Sequence, residues 1–270
     1  MALLDYTRRA MLAAGTATAI ALSAISVTAQ TPDDVLVVGQ IAEPKALDPA
    51  AVTAVNDFRI LMNLYDGLVR YKDGTLEVEP ALATSWNISN DGTEYTFSLR
   101  QGVKFHDGSD FNADAVKFNF DRMLDEAHPY HNTGPFPLSF FFSAIVSLDV
   151  LDPMTVKFTL NAPYAPFLSN LAYPTGLIVS PDAVAKHGTD FGRNPSGTGA
   201  FKFGEWRSNE AVVVEANSSH WEGAPKLQAV VFRPITDANT RTAEMLAGGI
   251  DMMVEVPPVA LSKFQGDGYT

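Results

Sequence analysis

The chain of 270 residues has no cysteine. This excludes disulfides, thiolate metal sites and cysteine nucleophiles. It also removes the lipid-attachment cysteine that would tether an exported protein to a membrane. Positive charge is scarce, with 19 Lys and Arg against 31 Asp and Glu and a net charge of −12. Without net basic charge to displace phosphate counterions, a nucleic-acid partner is excluded. The acidity favours solubility and names no ligand. Catalytic signatures are also missing: the chain has no H-E-x-x-H, no G-x-S-x-G and no G-x-x-x-x-G-K-[ST]. The pair Gly197-x-Gly199 lacks a third glycine and opens strands rather than a helix, which argues against a dinucleotide loop. No internal repeat and no Pro/Gly/Ser-rich linker interrupts the chain, so any subdomain must be an insertion. A hydrophobic share of 46% with 19% charged residues belongs to a globular protein rather than a polytopic membrane protein.

The first 29 residues differ from the rest. Arg8 and Arg9 precede an uncharged run, Ala10 to Ala29, that ends in the small residues Val27-Thr28-Ala29. Together they form the positive, apolar and cleavable regions of a secretory signal, 1–29. A membrane anchor is the alternative, but the run is barely long enough to span, and Gln30-Thr31-Pro32-Asp33-Asp34 follows at once. Thr7-Arg8-Arg9-Ala10-Met11-Leu12 resembles a twin-arginine signal, with general secretion as the other route. The expected location is a periplasm.

Beyond the leader, strand and helix patterns alternate. Val35–Gly39 is a short apolar run suited to a buried strand. Asn56–Leu64 predicts a helix, with Phe58, Leu61, Met62 and Tyr65 at helical spacing and Asp66-Gly67 ending it. Glu94–Arg100 alternates with Tyr95, Phe97 and Leu99 on one face, and Asn90-Asp91-Gly92 can turn it back onto Ser85–Ile88. Asn112 is an N-cap for a helix whose apolar stripe is Val116, Phe120, Met123 and Leu124. Ile145–Val150 and Thr155–Leu160 are strands across Asp152-Pro153. A short helix is expected within Pro163–Ala172 and a strand at Gly176–Ser180. Further strands are expected at Ala200–Trp206, Ala211–Glu215 and Leu227–Arg233, then a helix at Ala238–Ala247. The pattern is mixed α/β or α+β.

Few residues invite chemistry. His128 and His131 lie near Asp125 and Glu126 and could offer a metal two or three ligands, but no helix fixes their spacing and a polar surface is the plainer reading. His106 falls in a turn and reads as solvent-exposed. His187 and His220 have no recognisable partners, and Asp33-Asp34 reads as a solvated linker. The segment Tyr130–Phe142, with Phe136, Phe140, Phe141 and Phe142, suits either core filling or an aromatic surface for an adaptable solute.

Several ordered blocks carry a resemblance. They are Asn63–Leu68, Pro80–Trp86, Asp91–Phe97, Leu99–Gly108, Phe111–Val116, Pro195–Gly199 with Trp206, and Arg241–Asp251. The string resembles the family 5 extracellular solute-binding proteins, the dipeptide, oligopeptide, nickel, glutathione and opine receptors of ABC importers. The resemblance implies an α/β fold: a periplasmic-binding-protein-like type II lobe with a mixed sheet and an inserted α+β subdomain. Residues 30–66 and 191–270 would form the lobe and 67–190 the insertion. The second lobe would be absent, since family members are longer than one ordinary domain requires. It further implies a non-enzymatic, monomeric receptor without cofactor or metal that delivers a peptide-type solute to an inner-membrane permease. A nickel, metal-chelate or opine receptor is the alternative within the family. A periplasmic hydrolase and a chemoreceptor-presenting protein are the alternatives outside it. Carried onto this chain, the binding residues would be Glu43 and Pro44 after the first strand, with Tyr130, Phe140 and Tyr173 on inserted loops. Trp86, Tyr95 and Phe97 would be scaffold.

Overall fold

The computed structural model describes residues 32–265 and 269. The leader expected over residues 1–29, and with it the export route, lies outside the described residues. No described helix is long and apolar enough to cross a membrane.

Two sheets organise the described chain. The first strand, β1 (Val35–Gln40), is followed by helix α1 (Val55–Leu64) and the hairpin β2 (Val69–Tyr71) and β3 (Val78–Pro80). Then come β4 (Ala83–Ile88), β5 (Glu94–Leu99), α2 (Ala113–Leu124), β6 (Ile145–Asp152) and β7 (Thr155–Leu160). Helices α3 (Phe167–Ala172) and α4 (Pro181–His187) lead to β8 (Phe201–Arg207), β9 (Ala211–Ala216) and β10 (Ala229–Pro234). Helix α5 (Ala238–Leu246) and β11 (Met252–Met253) follow. The central sheet is mixed, in the order β11-β1-β10-β9-β8, and β1 is parallel to both β10 and β11. The second sheet, β4-β5-β7-β6, is antiparallel and lies wholly between β1 and β8 in sequence.

Each sheet has its own core. In the antiparallel sheet the alternation of β5 buries Tyr95, Phe97 and Leu99, which pack with Val156, Phe158 and the inner face of α2, Val116, Phe120 and Met123. Asn112 caps α2 as its position predicted, its side chain accepting from Ala115 N at 2.9 Å. In the central sheet, Val38, Val212, Val214, Val230 and Phe232 meet Phe58, Ile60, Leu61 and Leu64 of α1 and Val184 of α4.

Four local expectations are corrected. Leu177–Ser180 is extended but pairs only through an isolated antiparallel bridge between Leu177 and Gly67: Val179 exchanges hydrogen bonds with the Asn119 side chain, Ile178 N donates to Asp66 O, and Ser180 N donates to Ser196 O. With these partners, the backbone has no need of a neighbouring strand. Met62 is 65% exposed rather than part of the α1 core stripe, and Leu124 lies at the open end of α2. The expected helix in Pro163–Ala172 starts only at Phe167. Helix α4 is an element the sequence patterns above do not include: Ser180 caps it by accepting from Ala183 N at 3.1 Å, and Pro181 occupies its first position.

Two of the recognised sequence blocks, Asn63–Leu68 and Pro195–Gly199, meet at one junction with His220 and Trp221. Leu64 O accepts from Gly199 N at 3.1 Å, and Asp66 accepts from Thr198 Oγ1 at 2.8 Å and Trp221 Nε1 at 2.9 Å. His220 Nε2 stands 3.7 Å from the same carboxylate. Burial raises the Asp66 carboxyl, yet these surrounding donors outweigh it and hold the group below the ordinary carboxylate range. A Cβ at Gly197 would collide with Leu64 O and the Tyr65 ring, which explains glycine in that block.

Candidate functional site

The parallel strands point their C-terminal ends to one edge of the central sheet, where open α/β sheets place their ligand crevices. Strand β8 runs in the same direction as β10, because both are antiparallel to β9, so Trp206 arrives at this edge too. The loop after β1 passes across it. Trp206 Nε1 donates to Glu43 Oε1 at 2.6 Å, and the Arg193 guanidinium stacks on the same indole, 3.4 Å from its centroid. Asn56 Nδ2 donates to Glu43 O at 3.3 Å, tying the loop to the start of α1. Asp57 supports the turn from below, accepting from Lys45 N at 3.1 Å and Asn56 Nδ2 at 3.1 Å. Burial raises the Asp57 carboxyl above its usual range despite those donors. Glu43 is therefore a half-buried carboxylate in a fixed orientation, and Pro44 is buried beneath it.

The aromatic loop divides between the two roles considered for it. Phe136 and Phe142 are core, at 4% and 0% exposure, while Phe140 is 61% exposed. Phe140 packs edge-on against Phe141, Phe141 against Tyr173, and Tyr173 against Phe58 of α1, with ring centroids 4.7, 5.3 and 5.5 Å apart. Phe140 and Tyr173 thus share one string of rings that ends on the helix beside Glu43. Tyr130 belongs elsewhere, on Phe118 of α2 and His128 at 5.7 and 5.9 Å.

Three of the five histidines, His106, His128 and His131, hydrogen-bond to the backbone. His131 Nδ1 lies 2.9 Å from Arg122 O, and His128 Nδ1 accepts from Tyr130 N at 3.3 Å. No cluster of three or more His, Asp or Glu that could hold a metal occurs among the described residues. His106, expected at the surface, is largely buried. It accepts from Gly197 N at 3.3 Å through Nδ1, and its Nε2 faces Gly199 O at 3.0 Å. Sequence reading missed it because the partners lie more than 90 positions away. A concavity of about 680 Å³ lies on the α4–β8 flank between Lys186, Lys202 and Asp107 and holds none of the nominated residues. A second hollow of about 540 Å³ borders β11, lined by Met252, Met253, Val256 and Leu261.

A mixed sheet with a ligand edge at its parallel strand ends and an antiparallel sheet inserted between its strands is a lobe of the type II periplasmic-binding-protein class. Residues 77–270 match the family described as bacterial extracellular solute-binding proteins, family 5 Middle, and the chain belongs to that family. It is 35% identical over 258 residues to the glutathione-binding protein GsiB of Pectobacterium atrosepticum, covering 95% of this chain and 48% of that protein. Among solved structures, it superposes on the periplasmic binding protein DppA from Helicobacter pylori in complex with the peptide STSA. That match has a TM-score of 0.81 and 36% identity, over 86% of this chain and 48% of the other. The dipeptide-binding protein of Pseudoalteromonas sp. SM9913, in complex with Met-Leu, gives 0.82 and 30% over 86% and 50%. The chain therefore spans about half the length of the relatives it matches.

Proposed function

We propose that the chain supplies the first lobe of a periplasmic receptor that captures a short peptide or peptide-like solute for an ABC permease in the inner membrane. In this reading the receptor works as a monomer, without catalysis. Residues 30–66 and 191–270 make the lobe, 67–190 are its insertion, and export follows the twin-arginine route. The glutathione, STSA and Met-Leu ligands of the relatives favour a peptide-type solute. The observation that carries the reading is Glu43. Trp206 holds one of its oxygens at the ligand edge, and the other is left to accept from the amine or a backbone N–H of a solute. Pro44 stiffens the turn, and Phe140 and Tyr173 offer ring faces that tolerate varied side chains. Tyr130, on its separate aromatic patch, would act only through the loop it anchors.

Calorimetric titration of the protein expressed from its complete reading frame tests this. Glu43→Lys should weaken an amine-bearing peptide about tenfold or more and its N-acetylated form far less. Unchanged affinity would dismiss Glu43. Phe140→Ala should weaken binding while leaving the melting temperature in place, because the ring is largely exposed. Loss of both together would return Phe140 to the core.

A further inference from the structure

After Asn-Gly, the pair Asp-Gly is the sequence most open to attack of the main chain on its own side chain. The glycine nitrogen attacks the aspartate Cγ, and a cyclic imide forms as the N–H proton and the Cγ hydroxyl leave as water. Water then reopens the ring at either carbonyl. One opening returns aspartate; the other gives isoaspartate, whose main chain runs through Cβ and Cγ and is longer by one atom. Glycine favours the attack because no Cβ shields its nitrogen and its backbone turns freely. The chain has five Asp-Gly pairs and no Asn-Gly. Four of them lie in the described residues, beginning at Asp66, Asp73, Asp91 and Asp107.

The fold ties down three of these four. Gly67 is buried, and the Asp66 carboxylate accepts from Thr198 and Trp221. Asp91 Oδ1 accepts from Ser89 Oγ, Thr93 N and Thr93 Oγ1 at 2.5, 3.2 and 2.9 Å, while Gly92 N donates to Ser89 O at 2.9 Å. Asp107 accepts from Ser109 N, Ser109 Oγ and Ser180 Oγ at 2.9, 2.6 and 2.5 Å, while Gly108 N donates to Phe105 O at 2.9 Å. Hydrogen bonds from Ser89 and Thr93 hold the Asp91 carboxyl below its usual range. Burial raises the Asp107 carboxyl, but its Ser109 and Ser180 donors outweigh burial and leave it lowered too. The ionised carboxylate is the form that resists attack.

Asp73-Gly74 differs on every count. It is the tip of the β2–β3 hairpin, in a turn closed by Thr75 N donating to Lys72 O at 3.0 Å, with Gly74 at φ of 70°. Among the described residues neither the Asp73 carboxylate nor Gly74 N makes a hydrogen bond, and no ion pair reaches Asp73. Both residues are exposed, nothing stands within 4 Å of where a Gly74 Cβ would sit, and nearby Leu76 is 85% exposed. Nitrogen and carboxyl can therefore meet with no contact of their own to break. We propose that Asp73 is the residue the folded protein converts to isoaspartate, and that the fold reserves the change for this hairpin tip. Loop tips tolerate an added main-chain atom. Beneath the tip, Arg70 grips Glu79 and Glu222 at 2.7 Å each and Tyr71 Oη donates to Ser169 O of α3 at 3.0 Å, so the strands stay in place.

The protein expressed from its complete reading frame tests this after ageing near neutral pH, once folded and once in urea. Asp-N protease, applied afterwards to the unfolded chain, cuts before aspartate and not before isoaspartate, so missed cuts report each position separately. Folded protein should accumulate missed cuts before Asp73 severalfold faster than before Asp66, Asp91 or Asp107, and urea should bring the four rates close together. Asp73→Asn should react faster at the same place, because ammonia leaves where water left, and should register as a gain in mass. A folded protein in which Asp91 or Asp107 keeps pace with Asp73 overturns the proposal. So does one that stays silent at Asp73 while the unfolded chain reacts there. An equal lead for Asp73 in urea also overturns it, because neighbouring sequence rather than the fold would then be the selector.

Discussion

Replacing Asp48 with asparagine is expected to destabilise the protein by about 3–5 kcal/mol, the usual cost of leaving one buried charge without its partner. Asp48 and Arg122 have side chains only 2% and 1% exposed, joined by two parallel bonds of 2.9 and 3.1 Å. Asp48 Oδ1 also accepts from Ala50 N, and Arg122 lies between the rings of Phe136 and Phe191. The pair joins the loop after β1 to helix α2, and so joins one core to the other. The substituted amide would keep the turn bond but strand the guanidinium among aromatic rings. Arg122→Met in the same background should recover much of the loss, since a buried ion pair replaced by apolar side chains is often neutral. Urea unfolding of the two single variants and the double variant checks this, and strict additivity would oppose it. The same loop carries Glu43, so Asp48→Asn should also weaken solute binding.

How much of this was legible follows the range of the interactions. The β4–β5 and β6–β7 hairpins, the capped helix α2 and the core face of β5 were readable because period, cap and turn residues lie within a few positions of one another. Helix α4 carried an equally local signal in Ser180-Pro181, obscured by the apolar residues before it. The candidate site was legible only as a place. The loop after β1 could be nominated from the family resemblance, but the Trp206 clamp on Glu43 spans 163 positions and the Asp48–Arg122 pair 74. No local pattern encodes such pairs. The aromatic loop shows the limit most clearly. Phe140 and Phe142 are near neighbours of identical chemistry, and one is exposed while the other is fully buried, because the short turn Ser139–Phe142 aims them differently.

Acid should loosen this lobe before Asp66 and Asp107 protonate, and His106 is the reason. Burial lowers its pKa to about 4 from 6.5, with Lys202 acting in the same direction and the Gly199 carbonyl, Asp66 and Asp107 opposing. With Nδ1 accepting from Gly197 N–H, the ring is held as the neutral tautomer that donates from Nε2 to Gly199 O. Protons then bind the unfolded chain first. The stability His106 contributes is complete above about pH 6.5, declines as pH falls toward 4, and changes little below that. The displacement corresponds to about 3 kcal/mol across the window. Asp66 and Asp107 are both held below the ordinary carboxylate value, so their contributions persist through this window and fail only at lower pH. His128, lowered by burial in the same direction, adds a smaller slope from a more exposed position. Urea unfolding at steps from about pH 7 to 4 should therefore show the wild type losing about 3 kcal/mol more than His106→Gln, which retains an uncharged donor for Gly199 O. Parallel pH profiles for the two proteins would remove His106 as the cause. The ring bonds the Leu99–Gly108 block to the Pro195–Gly199 block, and Gly199 N in turn bonds to Leu64 O at the end of α1. The same protonation should thus loosen helix α1, to whose start the Glu43 loop is tied, and solute affinity should fall over the same pH range in the wild type and less in His106→Gln.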